Sequence, residues 1–162
     1  MTSNTLGLAR SLLPVTGTWA APFAIYMALL SVRVSILRDE HKQTFGDRLT
    51  GSRAPSGTTP ETDPLYLAVR THANYAENVP MVLVLAALAE LNGGRPVVLS
   101  TILGVFFVMR VLHAEAGILA KGKKSMGPGR FIGASLTLLT TISLGAYSAW
   151  LSRDSWGLLI GR

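Results

Sequence analysis

The chain has 162 residues, of which 49% are hydrophobic and only 15% are charged, against roughly 25% charged residues in an ordinary soluble domain. The formal net charge is +6. Because the Lys and Arg residues lie beside apolar runs and form no basic face with interleaved aromatics, this charge indicates membrane topology and not nucleic-acid binding. The absence of cysteine excludes disulfides, thiolate metal sites and a cysteine nucleophile, and we expect no metal site.

Four apolar segments follow one another along the chain, each close to the ~20 residues that cross a bilayer core. They predict transmembrane helices at about 15–37, 66–91, 96–120 and 130–151. Asp63 and Pro64 have the residue types of an N-cap and a first helical turn, which predicts the start of the second helix. The sequence therefore predicts an all-α fold, a single four-helix membrane bundle over residues 1–162 with left-handed up-down topology.

The loops on the two sides of the membrane differ in charge. Eight basic residues lie in the loop at 38–64 and in the segment 121–130, against four on the opposite side. Cytoplasmic loops carry an excess of Lys and Arg. The loop at 38–64 is therefore predicted to be cytoplasmic, as is the second basic loop, and both termini are predicted to lie on the non-cytoplasmic side.

Polar residues interrupt the second and third spans along defined helical faces. Arg70, Asn74 and Glu77 are spaced i, i+4 and i+7 and so share one face. Arg110 and His113 form a second stripe on the third span. Such groups are costly in lipid, so they must face protein or a water-filled pocket. One interpretation is that Glu77 and Arg110 form an ion pair that locks the bundle.

One ion pair does not account for all of these residues. Arg33 lies near the end of the first span and Arg130 at the start of the fourth. Several cations, an amide and a carboxylate at one membrane depth suit a small ligand with several negative charges, because Arg donates two parallel hydrogen bonds to a carboxylate. Glu77 could hold an ammonium of the same ligand. For His72, which points elsewhere, an interhelical or headgroup-level role is favoured.

The segment Arg70–Pro80, RTHANYAENVP, resembles the second-helix signature of the MAPEG family, the membrane-associated proteins in eicosanoid and glutathione metabolism. Val32–Val34, Arg110–His113 and the basic loop before Arg130 are similar to the same family, in order, over about residues 15–150. The resemblance implies a four-helix protomer that assembles as a homotrimer. It also implies that glutathione, as cosubstrate, lies between neighbouring subunits near the cytoplasmic side.

The resemblance further implies roles for individual residues. Those that match positions lining the glutathione site, or beside it, are Arg33, Arg70, Asn74, Glu77, Arg110 and His113. Arg130 is similar in placement to the arginine that stabilises the glutathione thiolate. The implied function is conjugation or reduction of lipophilic electrophiles dissolved in the bilayer, as in a glutathione transferase or peroxidase.

The chain departs from the family pattern at three positions. Gly117 replaces a frequent aromatic hydroxyl, Ala73 replaces a ligand-contacting arginine, and Phe131 replaces a serine of some members. These departures argue against an eicosanoid-specific activity. The chain is more similar to the bacterial branch of the family, and this resemblance implies a bacterial inner membrane. Two other hypotheses stay open: a binding or regulatory protein that keeps the pocket without turnover, and a structural trimer whose polar stripes specify assembly.

Overall fold

A computed structural model of the protein describes residues 11–47, 49, 57–120 and 128–155. For residues 128–130 and 155 it describes the backbone only. Within these ranges the regular secondary structure is entirely helical, with no β-strand. The four α-helices are α1 Pro14–Glu40, α2 Pro64–Leu91, α3 Pro96–Leu112 and α4 Pro128–Leu151. A π-helix, His113–Ile118, continues α3, and a short 3₁₀ turn, Arg153–Ser155, follows α4. The all-α, four-helix prediction is confirmed.

Three helical segments are long and apolar enough to cross a membrane: Pro14–Glu40, Pro96–Ile118 and Phe131–Leu151. The prediction of four spans is thus supported for three of them, and α2 falls short because its first half carries the polar stripe. Large apolar side chains such as Leu29 and Ile142 are more than half exposed, as expected for helices that face lipid. The chain is therefore an integral membrane protein that associates with a lipid bilayer.

Local sequence explains where the helices begin. Each of the four α-helices starts at a proline, which fits the first turn because its missing N–H would have no intrahelical partner there. Asp63 caps α2 as predicted, since its Oδ1 accepts a hydrogen bond from the backbone N–H of Tyr66 at 2.8 Å. Pro22 and Pro80 lie inside α1 and α2, a placement that membrane helices tolerate.

Aromatic residues fill the centre of the bundle. Phe23 of α1 packs edge-on against Phe107 of α3, with ring centroids 5.2 Å apart. Tyr75 of α2 is buried, and its hydroxyl donates to the Phe23 carbonyl at 3.1 Å. Trp19 lies so close to Gly104 that a Cβ at residue 104 would fall 2.9 Å from the indole Cη2. Glycine at this position lets α1 and α3 approach closely.

A carboxylate from α2 caps the start of α1. Glu90 accepts hydrogen bonds from the backbone N–H of Val15 at 2.7 Å and of Thr16 at 2.8 Å. First-turn N–H groups have no intrahelical acceptor, and an anion is favourable at a helix N-terminus. Leu13, the residue at the N-cap position, supplies no side-chain hydrogen bond. The end of α2 thus holds the start of α1.

We expect Glu90→Ala to lower the free energy of unfolding by about 1–3 kcal/mol, because hydrogen bonds to a charged acceptor are lost from two donors. Thermal unfolding of the detergent-solubilised protein measures the change. Glu90→Gln keeps one acceptor oxygen and should lose less stability than the alanine variant. Wild-type stability in Glu90→Ala would contradict the capping role.

Several predicted features fall outside the described residues. Both chain ends, at 1–10 and 156–162, lie outside them, as do residues 48 and 50–56 of the predicted cytoplasmic loop and the basic segment 121–127. The predicted third helix does reach residue 118, but its last part is π-helical. The Leu119 N–H bonds the Ala114 carbonyl at 2.9 Å, the wide spacing of that geometry.

Candidate functional site

Arg110 lies at the centre of a polar cluster between α2, α3 and α4 and is 2% exposed. Its Nη1 donates to the Thr137 hydroxyl at 3.1 Å. Its Nη2 donates to the backbone carbonyl of Asn74 at 3.2 Å and also to the Asn74 side-chain oxygen. The guanidinium carbon stands 5.9 Å from the centre of the Tyr75 ring. The Nε of Arg110 finds no hydrogen-bond partner among the described residues.

The Glu77–Arg110 ion pair does not form within the protomer, so that interpretation is wrong for the single chain. Arg110 bonds Asn74 and Thr137 instead, while Glu77 is exposed. The physical reason is helix geometry. Asn74 points at Arg110, and Glu77 follows it by three residues. Three residues advance a helix by about 300°, so Glu77 points roughly 60° to one side of Asn74.

Arg70 and Glu77 flank Asn74 on α2, and both are exposed. Within the described part of the chain, neither side chain forms a hydrogen bond or an ion pair. Unpaired charged side chains on a membrane helix are costly and must face protein, water or a ligand. This part of α2 therefore presents one positive and one negative side chain that no described residue of the protomer pairs with.

Arg33 of α1 is bound to the π-helix and not to α2. Its Nη1 lies 3.1 Å from Oε1 and 3.3 Å from Oε2 of Glu115. The Tyr26 hydroxyl donates to the same Oε1 at 2.9 Å. A cavity of about 530 Å³ borders this group. In the sequence, the only signal for this group besides Arg33 is Glu115, an acidic residue at membrane depth. Tyr26 carries no such signal, because its partner lies 89 positions away.

His113 begins the π-helix, is 5% exposed and packs directly on α4. A Cβ built at Gly133 would fall 2.0 Å from Nδ1 and 2.4 Å from Cγ of His113, so only glycine fits beneath the ring. Single π-helical turns are frequent at functional sites. The π-helix carries both His113 and Glu115, and the contact with Gly133 holds His113 close to the start of α4.

The other residues that the sequence singled out are His72, Gly117, Phe131 and Arg130. His72 forms an interhelical contact, with Nε2 3.0 Å from the Ser31 hydroxyl of α1, which agrees with the role favoured for it. Gly117 is buried in the π-helix and Phe131 is 76% exposed. The Arg130 backbone belongs to α4, but its side chain lies outside the described residues. Within the described ranges, no three His, Asp or Glu residues are grouped to hold a metal ion.

These features define a helical integral membrane protein whose spans enclose a buried arginine–amide cluster, with unpartnered charges on an adjoining helix face. A family model described as the MAPEG family matches residues 16–150. The chain belongs to the MAPEG family, and membership indicates a glutathione-related function in a membrane. No curated protein and no solved structure matches the chain.

Proposed function

We propose that the protein binds glutathione within the membrane and uses it to conjugate or reduce lipophilic electrophiles, as a transferase or peroxidase. The observation that carries the proposal is the pair Arg70 and Glu77, exposed and without partners among the described residues of the protomer. Glutathione offers carboxylates to an arginine and an ammonium to a glutamate. Both unused side chains would thereby gain partners from one ligand.

Asn74, between these two residues, is oriented for binding. Arginine has only donors, so the Arg110 contact requires Asn74 to present its side-chain oxygen. The Asn74 carbonyl also accepts from Asn78 Nδ2 at 2.7 Å. The side-chain amide nitrogen of Asn74 is left to donate to a ligand carbonyl or carboxylate. On this proposal Arg110 positions Asn74, and His113 supplies a further polar group from the π-helix.

We propose that the site lies between subunits of a homotrimer. In the protomer, Arg33 bonds Glu115, while Arg70, Asn74 and Glu77 lie on α2. Among the described residues, no hydrogen bond joins these two groups. A neighbouring subunit that brings its α1 against this α2 would unite them and cover charges that lipid cannot solvate. Each protomer would be a left-handed up-down bundle. The contact of Glu90, near the end of α2, with Val15 at the start of α1 supports the antiparallel course of these two helices.

Native mass spectrometry of the protein released from mild detergent should therefore show three chains. The number three rests on the family resemblance, and a subunit interface would cover Arg70 and Glu77, which lie at the surface without partners among the described residues. Masses of only one or two chains would contradict the intersubunit site and remove the role proposed for Arg33.

We propose that both basic loops face the cytoplasm and both termini the opposite side of a bacterial inner membrane, from the asymmetry of Lys and Arg. Because the chain has no cysteine, single cysteines at Ser56 and Ser125 report independently. An impermeant thiol reagent added to intact spheroplasts should leave both unlabelled and should label a control cysteine at Ser3. Labelling of both loops from outside would overturn the topology.

Arg130 is the residue proposed to favour the thiolate form of the bound glutathione, since a nearby cation stabilises the nucleophilic anion. The thiolate would then form a carbon–sulfur bond with a lipophilic electrophile that the bilayer concentrates, such as an aryl halide, from which the halide ion leaves. A second candidate function is a binding protein without turnover. The buried Gly117 favours it, because no hydroxyl can reach the site from that position.

Calorimetric titration of reduced glutathione into the detergent-solubilised protein tests binding, and the rate of conjugation of a lipophilic aryl halide tests turnover. Saturable binding with turnover that is lost in Arg130→Ala supports the enzyme. Binding without turnover identifies the non-catalytic protein. A trimer that does not bind glutathione would contradict the proposed function and leave only the structural role.

A further inference from the structure

We infer that Tyr26 and Glu115 position the Arg33 guanidinium for a carboxylate of the ligand, a role that rests on the glutathione site proposed above. Neither residue belongs to the set that the family pattern points to. Both lie beside Arg33 in the folded protomer although Glu115 is 89 positions from Tyr26 and 82 from Arg33. They form a chain of contacts that runs from a phenol through a carboxylate to the guanidinium.

The contacts leave one edge of the guanidinium open. Arg33 uses only Nη1 to reach the two oxygens of Glu115, at 3.1 and 3.3 Å. Its Nη2 and Nε form no hydrogen bond with any described residue. The guanidinium is planar, with donors in fixed directions, so a fixed Nη1 also sets the direction of the Nε–Nη2 edge. That edge has the geometry to bind a second carboxylate through two parallel hydrogen bonds.

Tyr26 fixes the carboxylate in turn. Its hydroxyl donates to Glu115 Oε1 at 2.9 Å, on the same oxygen that lies nearest to Arg33. The Tyr26 ring is held independently, in edge-on contact with Tyr75 at 5.3 Å and with Phe107 at 6.4 Å between ring centroids. Loss of the hydroxyl should therefore free the Glu115 side chain without loosening the aromatic packing.

The surroundings of this group suit a ligand. The adjoining cavity of about 530 Å³ has apolar walls that include Leu29, Val32 and Ile36, with Arg33 and Glu115 as the charged residues of its lining. The two side chains remain 41% and 42% exposed, so the open edge of Arg33 is reachable.

A double-mutant cycle tests the positioning role. Glutathione is titrated into wild type, Tyr26→Phe, Arg33→Ala and the double variant. Tyr26→Phe should weaken binding roughly two- to tenfold, less than the loss of a charge-assisted hydrogen bond made directly to the ligand, because Tyr26 acts on the ligand only through Glu115 and Arg33. Because Tyr26 acts through Arg33, the same change should have no effect in the Arg33→Ala background. Tyr147→Phe is the matched control, since its hydroxyl accepts from the Arg95 N–H and bonds none of these three residues.

Three results would overturn the inference, and a fourth would overturn the proposed function as well. An equal loss of affinity from Tyr26→Phe in both backgrounds would show a general structural effect. Tighter binding by Glu115→Gln would show that Glu115 competes with the ligand for Arg33. Unchanged affinity in Tyr26→Phe, together with weakened binding in Arg70→Ala, would remove the positioning role and leave the glutathione site standing. No binding by wild type would overturn both proposals.

Discussion

Replacement of Arg70 by alanine should weaken glutathione binding roughly ten- to a hundred-fold, because it removes a charge-assisted hydrogen bond worth about 1.5–3 kcal/mol. Arg70 is exposed and bonds no described residue of the protomer. Its loss should therefore change affinity without lowering the stability of the unliganded chain. Calorimetric titration gives the affinity, and thermal unfolding of the same samples without ligand gives the stability.

Glu77→Gln complements this variant because it keeps the side-chain shape and removes the charge. Since Arg110 bonds Asn74 and Thr137 and not Glu77, the unliganded protein should keep its stability while the affinity falls. Had Glu77 paired with Arg110, the stranded arginine would lower stability by ~3–5 kcal/mol. Arg153→Ala is the control, an arginine that packs over the Trp150 ring at 4.4 Å. Equal affinity across all four proteins would contradict the site.

Gly133→Ala should separate α4 from the π-helix. The new Cβ would fall 2.0 Å from Nδ1, 2.4 Å from Cγ and 2.7 Å from Cβ of His113. No side-chain rotation moves the His113 Cβ, so the backbone of one segment must shift. Overpacking of this kind typically lowers stability by about 1–3 kcal/mol. The unfolding temperature should therefore fall. Because His113 would also move, the affinity for glutathione should fall as well.

Gly145→Ala on the same helix is the matched control. A Cβ at Gly145 meets nothing within 4 Å, and alanine is favoured over glycine in a helix by about 1 kcal/mol. This variant should unfold at the wild-type temperature or above it and should bind glutathione normally. Unfolding of Gly133→Ala at the wild-type temperature would show that His113 does not pack on α4 as described.

The sequence by itself determined the helical class, the approximate positions of four helices and the family. Lipid leaves the backbone only helices or closed β-barrels, and apolar segments of about 20 residues have the length of a helix, so their positions predict the helices directly. Local chemistry was equally informative at Asp63, whose side chain caps α2 as its residue type predicts. The family followed from a motif within one helix, Arg70–Pro80, and the family model that matches residues 16–150 confirms it.

Only the tertiary structure decided which partner each polar side chain takes. Helical periodicity defines a face of α2 but not the neighbouring helix against which that face packs. The sequence therefore suggested Glu77 as the partner of Arg110, whereas the partner on α2 is Asn74. Arg33 reaches Glu115 across 82 positions, and Arg110 reaches Thr137 across 27. Partners so distant in sequence meet only when helices pack together, because side-chain contact depends on distance in space and not along the chain.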